Sequence, residues 1–181
     1  DRGLTPEETT NVSQVCPDMP LQWAVKENKI KFDLRHGHGQ SSGLFLDQRE
    51  NRKRVMQRAD SKRVANFFSY TCGFSVAAAL GGANEVVSID TSQAALNWGK
   101  DNFTLNNLNP EKFEFFVADS IFFLKSCTKR SRLFDMIIVD PPTFSRHKHG
   151  IFKIKENLNE LLDLSFKSLA KDGCLLVTLN D

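Results

Sequence analysis

A turn of small residues, three aspartates at strand ends and an Asp-Pro-Pro run are the features of this sequence that could do chemistry. Ser69-Tyr70-Thr71-Cys72-Gly73 follows an apolar run that ends at Phe68, Asp90 closes the next apolar run, and Asp119 ends the one after it. Asp140-Pro141-Pro142-Thr143-Phe144 follows a fourth run, Leu133 to Val139. Gly73 lets a ligand come close to the backbone. Asp90, 17 positions later, lies near the offset of about 20 residues at which an acid meets a ribose hydroxyl in βαβ nucleotide sites. Ionised carboxylates only accept hydrogen bonds, so they select hydroxyls and amines, and Asp90 would repel a 2′-phosphate. The turn has one glycine where dinucleotide fingerprints have three, so by itself it leaves open which adenosine-containing cofactor it holds. Each acid also has a structural reading, because Asp readily caps the helix that follows a strand.

The elements that must position these residues can be read from periodicity. Leu21 to Val25 and Lys29 to Leu34 alternate apolar and polar residues around Glu27-Asn28, which is hairpin spacing, with Trp23, Val25, Ile30, Phe32 and Leu34 on the apolar sides. His36 to Arg52 reads as a loop that docks, with Asp47 as the N-cap of a charged helix that has Arg49 on its first turn. Strand, turn, Ala-rich helix and strand then run from Val64 to Asp90. Thr91 or Ser92 caps a helix to about Asn106, with Ala95, Trp98, Gly99, Asn102 and Leu105 at helical spacing. Phe113 to Asp119 reads as a strand, 120 to 128 as a short helix, and Leu133 to Val139 as a central parallel strand buried on both faces. A loop from Ser145 to Gly150 precedes a helix with Ile154, Leu158, Leu161, Leu162, Ser165 and Leu169 on one face, ended by Lys171-Asp172-Gly173; Cys174 to Leu179 is the last strand. Regular βα alternation predicts an α/β fold, a doubly wound and mostly parallel sheet with right-handed crossovers and an N-terminal β-hairpin.

With 181 residues, the chain can bury one α/β core. Three parts are expected: a disordered lead-in or linker remnant over 1–19, a hairpin with docking loop and helix over 20–62, and the ligand-binding core over 63–181. Charged residues make up 25% and no apolar run approaches the ~20 residues of a membrane span, which argues against a membrane protein. Cys16, Cys72, Cys127 and Cys174 are scattered, with neither zinc-site spacing nor disulfide density, so a reducing cytoplasm is expected. The histidines at 36, 38, 147 and 149 lack acid or cysteine support and read as loop residues, so no metal is expected. Net charge is only +2, but Arg49 to Arg63 holds seven Lys/Arg against two acids, a face that could meet phosphates or simply be solvated.

An acid after the second strand, an acid after the third and Asp-Pro-Pro-x-Phe after the fourth resemble the pattern of class I S-adenosylmethionine-dependent methyltransferases. Gly43 to Arg52, Phe68 to Ala83 and Asp140 to Ser145 are similar to segments of the bacterial large-subunit rRNA methyltransferases of the RlmI and RlmK/L type, a resemblance that runs from about residue 21 to the end. It implies S-adenosyl-L-methionine as cofactor and RNA, 23S rRNA above all, as partner. Asp90 would take the ribose hydroxyls, Asp119 with Ser120 beside it the adenine amine, and Ser69, Tyr70, Thr71 and Gly73 the methionine part. Phe45, Asp47 and Arg49 would close over the cofactor, and Asp140, Pro141, Pro142 and Phe144 would present the target base. Cys72 departs from the Thr-Gly-Gly of relatives, and Thr143 stands where an aromatic residue is usual. Nitrogen methylation of a base, on guanine or an exocyclic amine, is favoured; carbon-5 methylation of cytosine, which needs a cysteine nucleophile that these motifs do not supply, stays open as the alternative. An inert cofactor- or RNA-binding module and an NAD-dependent oxidoreductase are the rivals. Such sheets carry two further strands, so the core is expected to be incomplete at its C-terminus.

Overall fold

In the computed structural model, residues 22–36, 41–147 and 150–179 are described. The expected lead-in over 1–19, and His38 and His149 of the histidine set, lie outside them. Strands β1 (Gln22–Glu27) and β2 (Ile30–Arg35) form the antiparallel hairpin. Its turn residues Asn28 and Lys29 have φ of 48° and 72°, the primed geometry whose twist suits adjacent strands. Ile30, Phe32 and Leu34 are buried as the alternation requires. The outer edge of β2 is satisfied by α3 (Gln93–Leu105) and the residue after it: Asn102 Oδ1 accepts from Asp33 N at 2.8 Å, and Asn106 accepts from Lys31 N and donates to Lys31 O. Two asparagines one helical turn apart thus take the place of a third strand.

The main sheet contains β3 (Arg63–Phe67), β4 (Glu85–Asp90), β5 (Glu114–Val117), β6 (Phe134–Val139) and β9 (Leu169–Val177). All five are parallel, in the order β5-β4-β3-β6-β9. Strand order therefore reverses between β3 and β6, the place where open α/β sheets bind ligands beyond their carboxyl ends. Successive residues of each strand feed opposite cores. Val64, Val86 and Ile138 face the hairpin, α1 (Arg49–Arg58), α2 (Gly73–Leu80) and α3. Ala65, Val87 and Ile137 face α4 (Ser120–Arg130) and α5 (Ile154–Lys167). Burial on both faces explains why these strands are nearly continuous apolar runs.

Three local expectations are corrected. The stretch expected as a plain loop contains strand pairing: β7 (Phe144–His147) pairs antiparallel with β8 (Gly150–Lys153). Helix α5 ends at Lys167, and Leu169 already pairs with Phe134; the turn-like Lys171-Asp172-Gly173 is absorbed as an irregularity inside β9, with Asp172 at φ 62°. Asp47 is not an N-cap, because it lies within a 3-10 turn, Leu46–Gln48, and no side chain caps α1. Ser92 is the cap of α3, accepting from Ala95 N at 3.1 Å. No helix among the described residues is long and apolar enough to cross a membrane.

Candidate active site

A cavity of about 640 Å³ opens at the switch point. The ends of β3, β4 and β6 form one wall, and residues 43–52 form the other. Ser69, Tyr70, Thr71, Gly73, Asp90, Ser120, Asp140, Pro141, Pro142 and Phe144 line it together with Phe45 and Asp47. Two of the expected residues stand elsewhere. Asp119 caps α4, its Oδ1 accepting from Phe122 N at 2.8 Å, and leaves Ser120 to face the cavity. Arg49 is exposed and not among the lining residues.

The turn after β3 is tightly determined. Phe68, Tyr70 and Cys72 all have positive φ, 56°, 46° and 62°, a region that costs a non-glycine residue roughly 1–3 kcal/mol and persists only where the surroundings enforce it. Here they do. Tyr70 N donates to Asp90 Oδ2 at 2.8 Å, Thr71 Oγ1 donates to Gly43 O at 2.7 Å, and Asn102 donates to Thr71 O at 2.9 Å. Cys72 follows from the same geometry. The left-handed position suits the glycine of the family pattern, and the thiol points away from the cavity against Gly99, where an added Cβ would lie 2.4 Å from the sulfur. Burial pushes its pKa up to about 12, so the thiol stays protonated and is no nucleophile. Helix α2 starts directly after this turn without a side-chain cap, and its first N–H groups, with the helix dipole, suit a carboxylate.

Asp90 sits at the centre of the sheet wall. Tyr70 N and Ser92 N hold its two oxygens, each at 2.8 Å. Burial raises its pKa, and the backbone donors from Ser92, Tyr70 and Thr91 hold it partly down. A desolvated carboxylate with lone pairs left over is an acceptor for hydroxyl donors. At the end of β6, Asp140 Oδ1 accepts a short hydrogen bond from the Thr178 hydroxyl, while Thr178 N continues the ladder to Val139 O. Burial raises the Asp140 pKa; the Thr178 hydroxyl lowers it, the charge of Asp47 raises it further and that of Arg52 lowers it.

The lip wall hangs on Arg52. Its guanidinium makes a bidentate pair with Glu27, at 2.8 and 2.7 Å, and donates to Phe45 O at 2.9 Å. Both charged partners are buried, with 3% and 7% exposure. Gly43, at φ 103°, lets the loop lie on the Trp98 ring, where any Cβ would collide with it. The rings of Phe45 and Tyr70 then meet at 5.7 Å across the opening. Phe45 and Phe144, each 47% exposed, stand at the mouth. The residues sequence reasoning missed are Arg52 and Thr178. Arg52 had a signal, since it falls with Val55 and Ala59 on the buried phase of α1; Thr178 had none beyond its place at a strand end.

The donor set fits an adenosine bearing a cationic sulfonium and an amino-acid tail. Asp90 could accept from ribose hydroxyls, the uncapped α2 N-terminus could meet the tail's carboxylate, and Asp47 and Asp140 would offset the sulfonium charge. Comparison with known proteins agrees. A model of the family described as S-adenosylmethionine-dependent methyltransferase matches residues 10–181. Ribosomal RNA large subunit methyltransferase K/L of Shewanella oneidensis is 38% identical over 176 residues, 96% of this chain and 24% of that protein. Ribosomal RNA large subunit methyltransferase K of Neisseria meningitidis is 39% identical over 160 residues, 87% of this chain and 45% of that protein. The chain thus spans less than half the length of these relatives. Among solved structures, the methyltransferase SMU.776 complexed with SAH superposes with a TM-score of 0.83 at 31% identity, over 88% of this chain and 42% of that one. A SAM-dependent methyltransferase from Agrobacterium tumefaciens gives 0.83 at 25% identity, over 89% and 54%. Switch-point cavity, ordered acids and matching family model converge: this chain belongs to the S-adenosylmethionine-dependent methyltransferase family.

Proposed function

We propose that the protein methylates a base nitrogen in RNA, with large-subunit rRNA as substrate. The observation that carries this reading is Asp140-Pro141-Pro142 at the cavity mouth, with Phe144 half exposed beside it and Phe45 on the opposite lip. A planar base entering there meets aromatic faces on which to stack and a carboxylate for its exocyclic amine. The names of the curated relatives support rRNA as the substrate class.

When bound, S-adenosylmethionine supplies an electrophilic methyl on a sulfonium. The protein's part is to hold the acceptor in line with that methyl, since orientation lowers the barrier without general-base chemistry. Asp140, with one oxygen fixed by Thr178, presents the other to the amine and orients its lone pair. An amine so oriented would take the methyl with its lone pair, the thioether would be the leaving group, and an exocyclic amine would then lose its proton to solvent. A guanine ring nitrogen would lose none. Asp90 holds the ribose. We assign Asp119 and Ser120 the adenine end, with Ser120 on the cavity side. Carbon-5 methylation is disfavoured because no cysteine among the described residues lines the cavity.

Mass spectrometry of rRNA nucleosides from cells with and without the gene tests the proposal. Loss of one N-methylated nucleoside, restored by the wild-type gene and not by Asp140→Ala, is expected. Loss of 5-methylcytidine would overturn the nitrogen assignment, and an unchanged nucleoside profile would favour an inert module.

A further inference from the structure

We infer that the outward face of α1 and the tip of the β1–β2 hairpin form one surface for the sugar-phosphate backbone of the RNA, leading to the cavity lip; this rests on the RNA reading above. Lys26, Lys29, Arg49, Arg54 and Arg58 are exposed and, among the described residues, make no ion pair. Lys53 lies 4.0 Å from Glu50, the only acid on the outward face of α1. A helix face with scattered cations is ordinarily a solvated surface, and three observations separate this one from that case.

First, the two basic elements are fixed to each other. The buried Arg52–Glu27 pair ties α1 to the last residue of β1, and Asn28 Nδ2 donates to Arg49 O at 3.4 Å beside it. The hairpin and the helix are therefore tethered where their basic residues meet. Second, the surface is continuous with the site. The same Arg52 holds Phe45 O and lines the cavity, and α1 begins directly after the lining residues Asp47 and Gln48. A backbone lying along α1 would reach Phe45 at the mouth. Third, Lys29 occupies the second turn position at φ 72°, where glycine is unstrained and lysine is not. The fold tolerates that strain to carry an exposed charge at the tip.

The partner that fits is a phosphate backbone rather than a base edge, because the cations are long side chains on an exposed helix face and hairpin tip. Binding through them is sequence-independent and salt-dependent, and the base is chosen at the cavity.

The test uses the full chain, a fluorescein-labelled RNA stem-loop with a single-stranded tail, and a salt series. A variant carrying Lys26→Gln, Lys29→Gln, Arg54→Gln and Arg58→Gln is compared with one carrying Lys112→Gln, Lys129→Gln, Lys155→Gln and Lys171→Gln, which removes the same charge from exposed positions elsewhere. The first variant should bind RNA about tenfold or more weakly at low salt and lose about 2 to 3 from the slope of log affinity against log salt, at ~0.7 per phosphate contact on a single strand. The second should stay near wild type. Both should bind S-adenosylhomocysteine with wild-type affinity by calorimetry, which also shows that they fold. Equal slopes for all three proteins, an equal loss in the two variants, or a wild type that does not bind RNA would overturn the proposal. RNA binding through this face with no methyl transferred to any rRNA would instead sink the functional reading and leave the surface standing.

Discussion

The two walls of the cavity are built in different ways. The sheet wall is made of strand ends, and its acids are held by backbone N–H donors: Asp90 by Tyr70 N and Ser92 N, Asp119 by its own helix cap. The lip wall, residues 43–52, passes from a loop through a 3-10 turn into the start of α1 and is held by contacts far apart in the chain, Arg52 to Glu27 and Gly43 against Trp98. A wall grown from parallel strands is rigid wherever its neighbours are. A wall held by a few long-range contacts loosens when its buried ion pair is broken.

Breaking the pin should have the largest effect. Arg52→Ala leaves Glu27 buried and unpaired, and is expected to cost about 3–5 kcal/mol in urea unfolding and to loosen the lip. The double variant Arg52→Met with Glu27→Leu should recover most of that stability, because two apolar residues of similar size leave no uncompensated charge. If the double variant also recovers cofactor affinity, the pair is a pin; if affinity stays low, the guanidinium itself contacts the ligand.

The same contrast explains what could be read from the sequence. The sheet wall was legible because apolar runs define buried parallel strands and the residue after each run falls at its carboxyl end; Asp90 and Asp140 follow from that alone. Arg49 was singled out in place of Arg52 because a first-turn arginine resembles the family motif, whereas the Arg52–Glu27 partnership spans 25 residues and depends on the hairpin's placement. Asp90 and Asp119 look equivalent in sequence, and the sheet separates them. β4 is interior, so the turn after β3 leans over Asp90, whereas β5 is an edge strand and its acid turns to its own helix. The β7–β8 hairpin was hidden by polar residues that pair through backbone rather than through an apolar pattern.

Within the sheet wall, the two acids should therefore respond unequally. Asp90→Ala removes the anchor of the turn and, on the proposed reading, the ribose acceptors, and should weaken S-adenosylmethionine by roughly 30-fold or more, about 2 kcal/mol. Asp119→Ala should lower stability by about 1 kcal/mol through the lost cap and reduce affinity less than Asp90→Ala. A larger affinity loss at Asp119 would reverse the ranking.

The smallest expected effect concerns Asp140. In the proposed role it is ionised, so activity should fall as pH drops through its pKa, which burial raises above the ordinary aspartate range. Thr178→Val removes the hydroxyl that holds the pKa down, so the limb of the kcat/KM profile should move to higher pH with cofactor affinity unchanged. Thr178→Ser should restore it; a limb that does not move would remove Thr178 from the positioning of Asp140.

The central claim, that the cavity at the ends of β3, β4 and β6 holds S-adenosylmethionine, is tested most directly by calorimetric titration of S-adenosylmethionine and NAD into the wild-type protein and Asp90→Ala. Saturable binding of S-adenosylmethionine that Asp90→Ala weakens, with no binding of NAD, is the predicted result. Binding of NAD alone, or S-adenosylmethionine binding indifferent to Asp90, would contradict it.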